Sequence, residues 1–375
     1  ISQAAMTLLM QPPSMPLSKS LSVVIQNNIC GYNRGLKVAP RVNLQCILNI
    51  VATIDCPIMS SHIPPLTKPY NDKNFCSRDF IHPRYWLTWF LFALLRLLSC
   101  LPYRCQLWMG KKLGRLIQCL PKCRQSVVET NLQLCFPEKP SEERERIKNE
   151  CYENIGIAIF EMGMSWWWSE KRLQPLVEIH GLENLKTVIA RGQGAILLSG
   201  HVTSMEIGAR LFTMSSPMQV IFRTQKNTLL DQFLYYKRCQ YLTDVIPRRN
   251  GRQFIKGIKN LTPSAYSPDQ NFTNEPGIFA PFMGIQTATI TASYRLARLA
   301  RCAMLPFYIQ RNVDGSGYRL SIEPPIDNFP SDDDIADATA INSAIERFVR
   351  LHPEQYFWVH RRFKNRPNGE PPIYL

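Results

Sequence analysis

The sequence predicts an α/β protein, a sheet covered by helices, with an N-terminal membrane-associated helix. Three observations predict it. Apolar residues make up 45% of the 375 positions and charged residues 19%, which allows a sizeable core and argues against a wholly disordered chain. From about residue 177 short apolar runs alternate with segments of helical period, the pattern of strands joined by helices. Tyr85 to Leu101 reads YWLTWFLFALLRLLSCL, with Arg96 its one charge.

Residues 1–74 carry Pro clusters (Pro12, Pro13, Pro16, Pro64, Pro65) and no sustained period. They lack the basic start and small-residue cleavage pattern of a signal peptide, and read as a poorly ordered extension. Tyr85–Leu101 would form roughly 26 Å of helix at about 1.5 Å per residue. That is the short limit for a hydrocarbon core about 30 Å thick. Trp86 and Trp89 stand at one end as interface anchors do, and Pro102 stops the helix. Behind it Arg104, Lys111, Lys112, Arg115, Lys122 and Arg124 form a flank that anionic headgroups attract. Residues 80–125 are thereby set apart from 126–375, although a buried core helix is the alternative.

A long helix is expected over 141–168, with Glu142 and Glu143 at its positive end. It closes on Trp166, Trp167 and Trp168, which cannot all face one core, so at least one is expected at an interface or a pocket. Strands are expected at Val177–His180, Gly194–Ser199, Met218–Phe222, Met304–Ile309 and Tyr318–Ile322. Helices are expected up to Ala190 and over Thr203–Met214, Asn227–Tyr241, Gly251–Asn260, Ala288–Ala300 and Ile335–Leu351. Asp332, Asp333 and Asp334 favour the start of the last.

Lys plus Arg is 44 and Asp plus Glu is 29, a net charge of +15. Such an excess implies an anionic partner: nucleic acid, a phosphorylated substrate or a membrane surface. Twelve scattered Cys without CxxC suit a reducing compartment and speak against a zinc ribbon. Six dispersed His give no paired metal spacing, and neither a G-x-S-x-G elbow nor a phosphate loop is present, so no metal or cofactor is expected.

Chemistry concentrates in Gly194-Ala-Ile-Leu-Leu-Ser-Gly-His201-Val-Thr-Ser-Met-Glu206. A buried strand runs into Gly, then His, then a helix start. In open α/β sheets the ligand crevice lies outside the carboxyl ends of strands, which is where His201 stands. Glu206, in the first helical turn, is expected to reach back to the imidazole, fix its tautomer and stabilise the imidazolium. His201 would then take a proton from a hydroxyl. The alternative is a capping box between Thr203 and Glu206, with His201 a loop histidine.

These residues carry a resemblance. HxxxxE after an apolar strand resembles the motif of the bacterial lipid A late acyltransferases, over about residues 80–375. Ile81–Trp89 resembles that family's N-terminal membrane segment, Asn131-Leu-Gln-Leu-Cys-Phe-Pro137 its NLELCFP-like stretch, and Pro353–Pro367 its C-terminal signature. The resemblance implies a mixed sheet of the glycerolipid-acyltransferase kind. It implies acyl transfer from acyl carrier protein to a hydroxyl of a lipid A precursor, without a covalent acyl-enzyme, at the cytoplasmic side of the bacterial inner membrane. His201 aligned by Glu206 would act as the base. Arg223, opening FRTQKN, is similar to the start of a YRPxDN-like segment and is the candidate for the oxyanion or a substrate phosphate. Asp269, grouped with Arg223 as a candidate for the oxyanion or a substrate phosphate, belongs to Pro268-Asp-Gln-Asn271, which resembles a PDxD-like loop and departs from it at Asn271. Arg248, Arg361 and Arg362, with Arg249, Lys364 and Arg366, are candidates for meeting a phosphorylated acceptor.

A second departure lies at Thr262-Pro-Ser-Ala-Tyr-Ser267, where the family has a hydrophobic strand. Pro263 removes a ladder donor and Ser replaces bulk, so a weak or displaced strand is expected. The other readings left open are a glycerophosphate-type acyltransferase, an inactive relative, and a basic nucleic-acid-binding protein. The last leaves the apolar helix and the His–Glu turn unexplained.

Overall fold

The computed structural model describes residues 75–119, 122–271 and 277–374. The expectation for residues 1–74 lies outside them. All described residues fall in one compact unit, Leu44–Leu375.

Among the described residues five α-helices precede the sheet: α1 (Trp86–Leu98), α2 (Tyr103–Gln118), α3 (Lys122–Cys135), α4 (Ser141–Trp167) and the single turn α5 (Glu170–Leu173). Alternation follows: β1 (Val177–His180), α6 (Leu182–Ala190), β2 (Ala195–Leu198), α7 (Met205–Phe212), β3 (Gln219–Phe222), α8 (Thr228–Arg238), β4 (Asp244–Pro247), α9 (Gly251–Lys259) and β5 (Ser264–Tyr266). After β6 (Gly277–Phe282) and β7 (Ile285–Ile290) come α10 (Ala292–Ala300), β8 (Ala303–Arg311), β9 (Tyr318–Ile322) and α11 (Asp334–Leu351). Asp333 caps α11 by accepting from the Ile335 and Ala336 amides.

Helix α1 is shorter than the apolar run that predicts it. Its 13 residues make about 20 Å, and no helix among the described residues is long and apolar enough to cross a membrane. One face is core: Phe92 stacks on Phe233 with centroids 4.3 Å apart and meets Trp166 edge-on. Trp86, Phe90, Leu94 and Leu97 on the same helix are exposed. Helix α2 lies against α4 backbone to backbone. A Cβ on Gly114 would strike the Tyr152 carbonyl, and one on Gly156 the Gly110 carbonyl, so glycine is what permits this crossing.

The main sheet is seven-stranded and mixed, in the order β1-β9-β8-β2-β5-β3-β4. Only the β8–β9 pair is antiparallel; β1–β9, β8–β2, β2–β5, β5–β3 and β3–β4 are parallel. Strand β2 is buried along its whole length, as its AILL run requires. Strands β6 and β7 form a separate antiparallel pair.

Two expectations are corrected here. The segment read as helix from Ala288 begins as strand β7 and turns helical only at Ala292, because Thr287 and Thr289 alternate inward and pair with β6. The strand expected to be weak at Thr262–Ser267 forms between β2 and β3. Pro263 precedes its first residue, so no ladder donor is lost, and its carbonyl accepts the Gln219 amide. Ser264 fills the place of bulk with hydrogen bonds: its hydroxyl takes Gln219 Nε2 at 2.6 Å and donates to the Thr262 carbonyl.

Candidate active site

Four adjacent parallel strands end on one edge of the sheet, and each delivers a candidate residue. His201 follows β2, Asp269 follows β5, Arg223 follows β3 and Arg248 follows β4. This is the carboxyl-end crevice where α/β sheets hold ligands. His201, Glu206, Arg223 and Arg248 all line a cleft of about 360 Å³. Much of its wall is apolar, from Ile159 and Met162 on α4, Leu230 and Leu234 on α8, and Phe222 and Ile290.

His201 Nδ1 lies 2.5 Å from Asp269 Oδ1, and the His201 amide donates to Oδ2 at 2.7 Å. Burial alone would raise the Asp269 carboxyl, but the His201 ring and amide hold it well below the usual carboxylate range. An ionised carboxylate only accepts, so Nδ1 carries the proton, and in the neutral ring the lone pair is on Nε2. The turn is close: a Cβ on Gly200 would come within 2.8 Å of Ile345 Cγ2 and 3.4 Å of Asp269 Oδ2.

Glu206 does not reach this imidazole. Its carboxylate takes a two-pronged bond from Arg238 (Nη2 at 2.6 Å, Nε at 3.1 Å), a third from the Tyr241 hydroxyl at 2.9 Å and a long one from Trp166 Nε1. Burial would raise its carboxyl, yet Arg238 and the hydroxyl keep it below its ordinary value. The pairing expected from HxxxxE spacing is thus corrected. Five residues along a tight turn carry Glu206 to the α8 side of the cleft, and Asp269 supplies the carboxylate on the ring; its expected oxyanion or phosphate role is corrected, because an ionised carboxylate only accepts and would repel an anion. The Trp triplet resolves accordingly: Trp166 and Trp168 are buried, with Trp168 Nε1 bonded to the Ser99 carbonyl at 2.6 Å, and Trp167 is half-buried.

The arginines divide. Arg223 and Arg248 are exposed at the cleft. Arg361 lies over the Tyr374 ring and is not part of the cleft wall. Arg362 is 2% exposed; it donates to the Ala288 carbonyl at 2.7 Å and reaches Asn342, over the Phe282 ring. It anchors the C-terminal segment to β7 and α11, so the acidic-substrate role expected of Arg362 is corrected. The Asn271 amide nitrogen donates to His360 Nε2, while its buried side-chain amide has no hydrogen-bond partner among the described residues.

Several positioning residues receive no role from the sequence, although Asn131 and residues 355–358 lie in its motif-like stretches. The C-terminal segment clamps the His201 turn through backbone bonds: Phe357 N–H to the His201 carbonyl, Thr203 N–H to the Gln355 carbonyl, and a Val202–Tyr356 bridge. Asn131 ties that segment to α3 by donating to the Trp358 and His360 carbonyls. Arg311, at the end of β8, is 5% exposed and bonds Glu161 at 2.7 Å and Ser204 Oγ at 3.0 Å. The available signal was a lone arginine ending an apolar strand, which spacing alone does not distinguish. Among the described residues no cluster of His, Cys, Asp or Glu could hold a metal ion.

The model of one protein family, bacterial lipid A biosynthesis acyltransferase, matches residues 74–365. The chain belongs to this family. It is similar to the lipid A biosynthesis palmitoleoyltransferase of Escherichia coli (strain K12), 37% identical over 300 residues, covering 80% of this chain and 98% of that protein. It is 35% identical over 299 residues to the lauroyltransferase of the same strain, with the same coverage. A Haemophilus influenzae lipid A biosynthesis acyltransferase is 34% identical over 297 residues, 78% of this chain and 95% of that protein. The acyltransferase thus carries its HxxxxE, Asn131 and C-terminal blocks inside the matched region, and the fold brings all three together.

Proposed function

We propose that this acyltransferase moves a fatty acyl chain from the thioester of acyl carrier protein to a hydroxyl of a lipid A precursor. The observation that carries the reading is the His201–Asp269 pair at the wall of a largely apolar cleft. His201 Nε2 takes the proton of the acceptor hydroxyl. The oxygen attacks the thioester carbonyl carbon, an ester C–O bond forms, the C–S bond breaks, and the imidazolium returns its proton to the leaving thiolate. Asp269 fixes the tautomer and balances the imidazolium charge. Arg223 is the group proposed to meet the tetrahedral oxyanion or an acceptor phosphate, with Arg248 beside it. The apolar walls take the acyl chain.

The reading also places the protein on the cytoplasmic face of a bacterial inner membrane, held by the exposed face of α1. Acyl transfer in lipid A biosynthesis is what the names of the relatives describe. The test is to incubate purified protein with acyl carrier protein thioesters and lipid A precursor and weigh the products. An acceptor heavier by one acyl group is expected. An unchanged acceptor, with glycerophosphates acylated instead, overturns the acceptor reading.

A further inference from the structure

We propose that the outward face of α9 is the docking surface for an acidic carrier protein that brings the acyl thioester to the cleft. The proposal rests on the carrier-bound donor of the preceding reading. Helix α9 turns Phe254 and Ile258 into the core, and the Phe254 ring packs 6.3 Å from that of Tyr266, a residue of the cleft wall. The opposite face shows Arg252, Lys256 and Lys259, all exposed, at the i, i+4, i+7 spacing of one helix face. Arg249, exposed in the turn before α9, extends the stripe toward Arg248, which lines the cleft. The stripe therefore ends at the opening that holds His201.

Several exposed cations elsewhere are matched, Arg146 with Glu150, Arg347 with Glu323 and Arg350 with Glu346. On α9 no side chain of Arg249, Arg252, Lys256 or Lys259 makes an ion pair or hydrogen bond with a described residue. The nearby carboxylate of Asp244 is engaged by Gln253 at 2.6 Å. Like charges one turn apart repel each other and stabilise nothing within the fold. They suit an acidic partner approaching from solvent, where complementary rim charges raise the encounter rate and fix the orientation. The stripe holds no exposed apolar side chain to enter a bilayer, unlike α1 with Trp86, Phe90 and Leu97. That favours a protein surface over a lipid one.

The test is the variant Arg252→Glu/Lys256→Glu/Lys259→Glu. It is assayed with an acyl carrier protein thioester and, separately, with the same acyl group on free pantetheine. Expected is a rise of about tenfold or more in KM for the carrier thioester, kcat little changed, and unaltered kinetics with acyl-pantetheine. Added salt should raise the wild-type KM for the carrier and leave the variant flat. If the charge reversal impairs folding, Arg252→Gln/Lys256→Gln carries the same comparison. Equal KM values for carrier thioester in variant and wild type overturn the docking surface and leave the donor reading intact. Wild-type protein that uses acyl-pantetheine but not the carrier overturns the donor reading, and the surface with it. A variant that keeps its carrier KM but no longer binds vesicles of anionic lipid makes α9 a lipid contact instead.

Discussion

His201 Nδ1 and Asp269 Oδ1 stand 2.5 Å apart although 68 positions separate them in the chain. Strands β2 and β5 are parallel neighbours in the register Leu198↔Tyr266, and each site residue lies three positions beyond its strand's partner residue. Both chains leave the sheet at one level and turn toward each other. The dyad is therefore a consequence of strand pairing, and a one-residue slip would dismantle it.

Asp269→Asn is expected to lower kcat by about 10²–10⁴-fold and leave the fold intact. An amide can donate to Nδ1, which moves the imidazole proton to Nε2 and removes the lone pair the hydroxyl proton needs. His201→Ala should fall to the same floor, and the double variant no further, since the two act as a unit. Turnover by Asp269→Asn at the wild-type rate, with circular dichroism unchanged, would reject the pairing as catalytic.

Glu206 carries a different expectation. Its carboxylate is the shared partner of Arg238, Tyr241 and Trp166, so Glu206→Gln should cost about 3 kcal/mol by stranding the Arg238 charge. Both Glu206 and Asp269 have folded carboxyls lowered below their ordinary values, Arg238 acting on one and His201 on the other against burial. The unfolded chain therefore binds these protons first. The stability they supply is full above about pH 4.5 and drains as pH falls below it. Denaturation midpoints between pH 6 and pH 3 should fall steeply in the wild type and more gently in Glu206→Gln. Parallel curves would deny the carboxylate this role.

The alternation from Val177 onward made the sheet legible, and His201 was found because Gly194–Ser199 is apolar enough to be a central strand. Its partner was not legible, because HxxxxE spacing describes distance along a turn and says nothing about which strand lies alongside. Strand β5 was misjudged for a related reason. Ser264 looks unfit for a core until Gln219 is known to sit opposite it. Arg362 was misplaced because a basic pair in sequence does not reveal that one member points inward to the Ala288 carbonyl.

Arg311 links α4, the His201 turn and the C-terminal segment. Its guanidinium bonds Glu161, Asn154 and Ser204, and its main chain exchanges two bonds with the Gln355 amide. Arg311→Met should be strongly destabilising, about 3–5 kcal/mol, because Glu161 stays buried without its counter-charge. Adding Glu161→Gln should restore much of that stability by removing the stranded charge. Activity should not return with it, since Ser204 has lost its hold and the turn bearing His201 is loosened. Full turnover in the double variant would make Arg311 a stabilising residue and nothing more.

The outer face of α1 supplies the last expectation. Trp86, Phe90 and Leu97 are 63%, 62% and 68% exposed on a helix whose other face is core. Exposed large apolar side chains grouped in this way mark a contact surface. On α2, Trp108 and Leu116 are also exposed, among the exposed Lys111, Lys112 and Arg115. Each large apolar side chain moved out of water gains about 1–2 kcal/mol at this exposure, and each nearby basic residue about 1 kcal/mol at an anionic surface. Replacement of Leu95, one of the apolar residues in the run, would report on folding, because Leu95 is 8% exposed and packs in the core. Trp86→Ser/Phe90→Ser/Leu97→Ser avoids that. It should release the protein from sedimented membranes while leaving its melting temperature near the wild-type value. The wild type should resist a salt wash, since screening weakens the basic flank and leaves apolar burial untouched. A triple variant still sedimenting with membranes after high salt would move the attachment to another part of the chain.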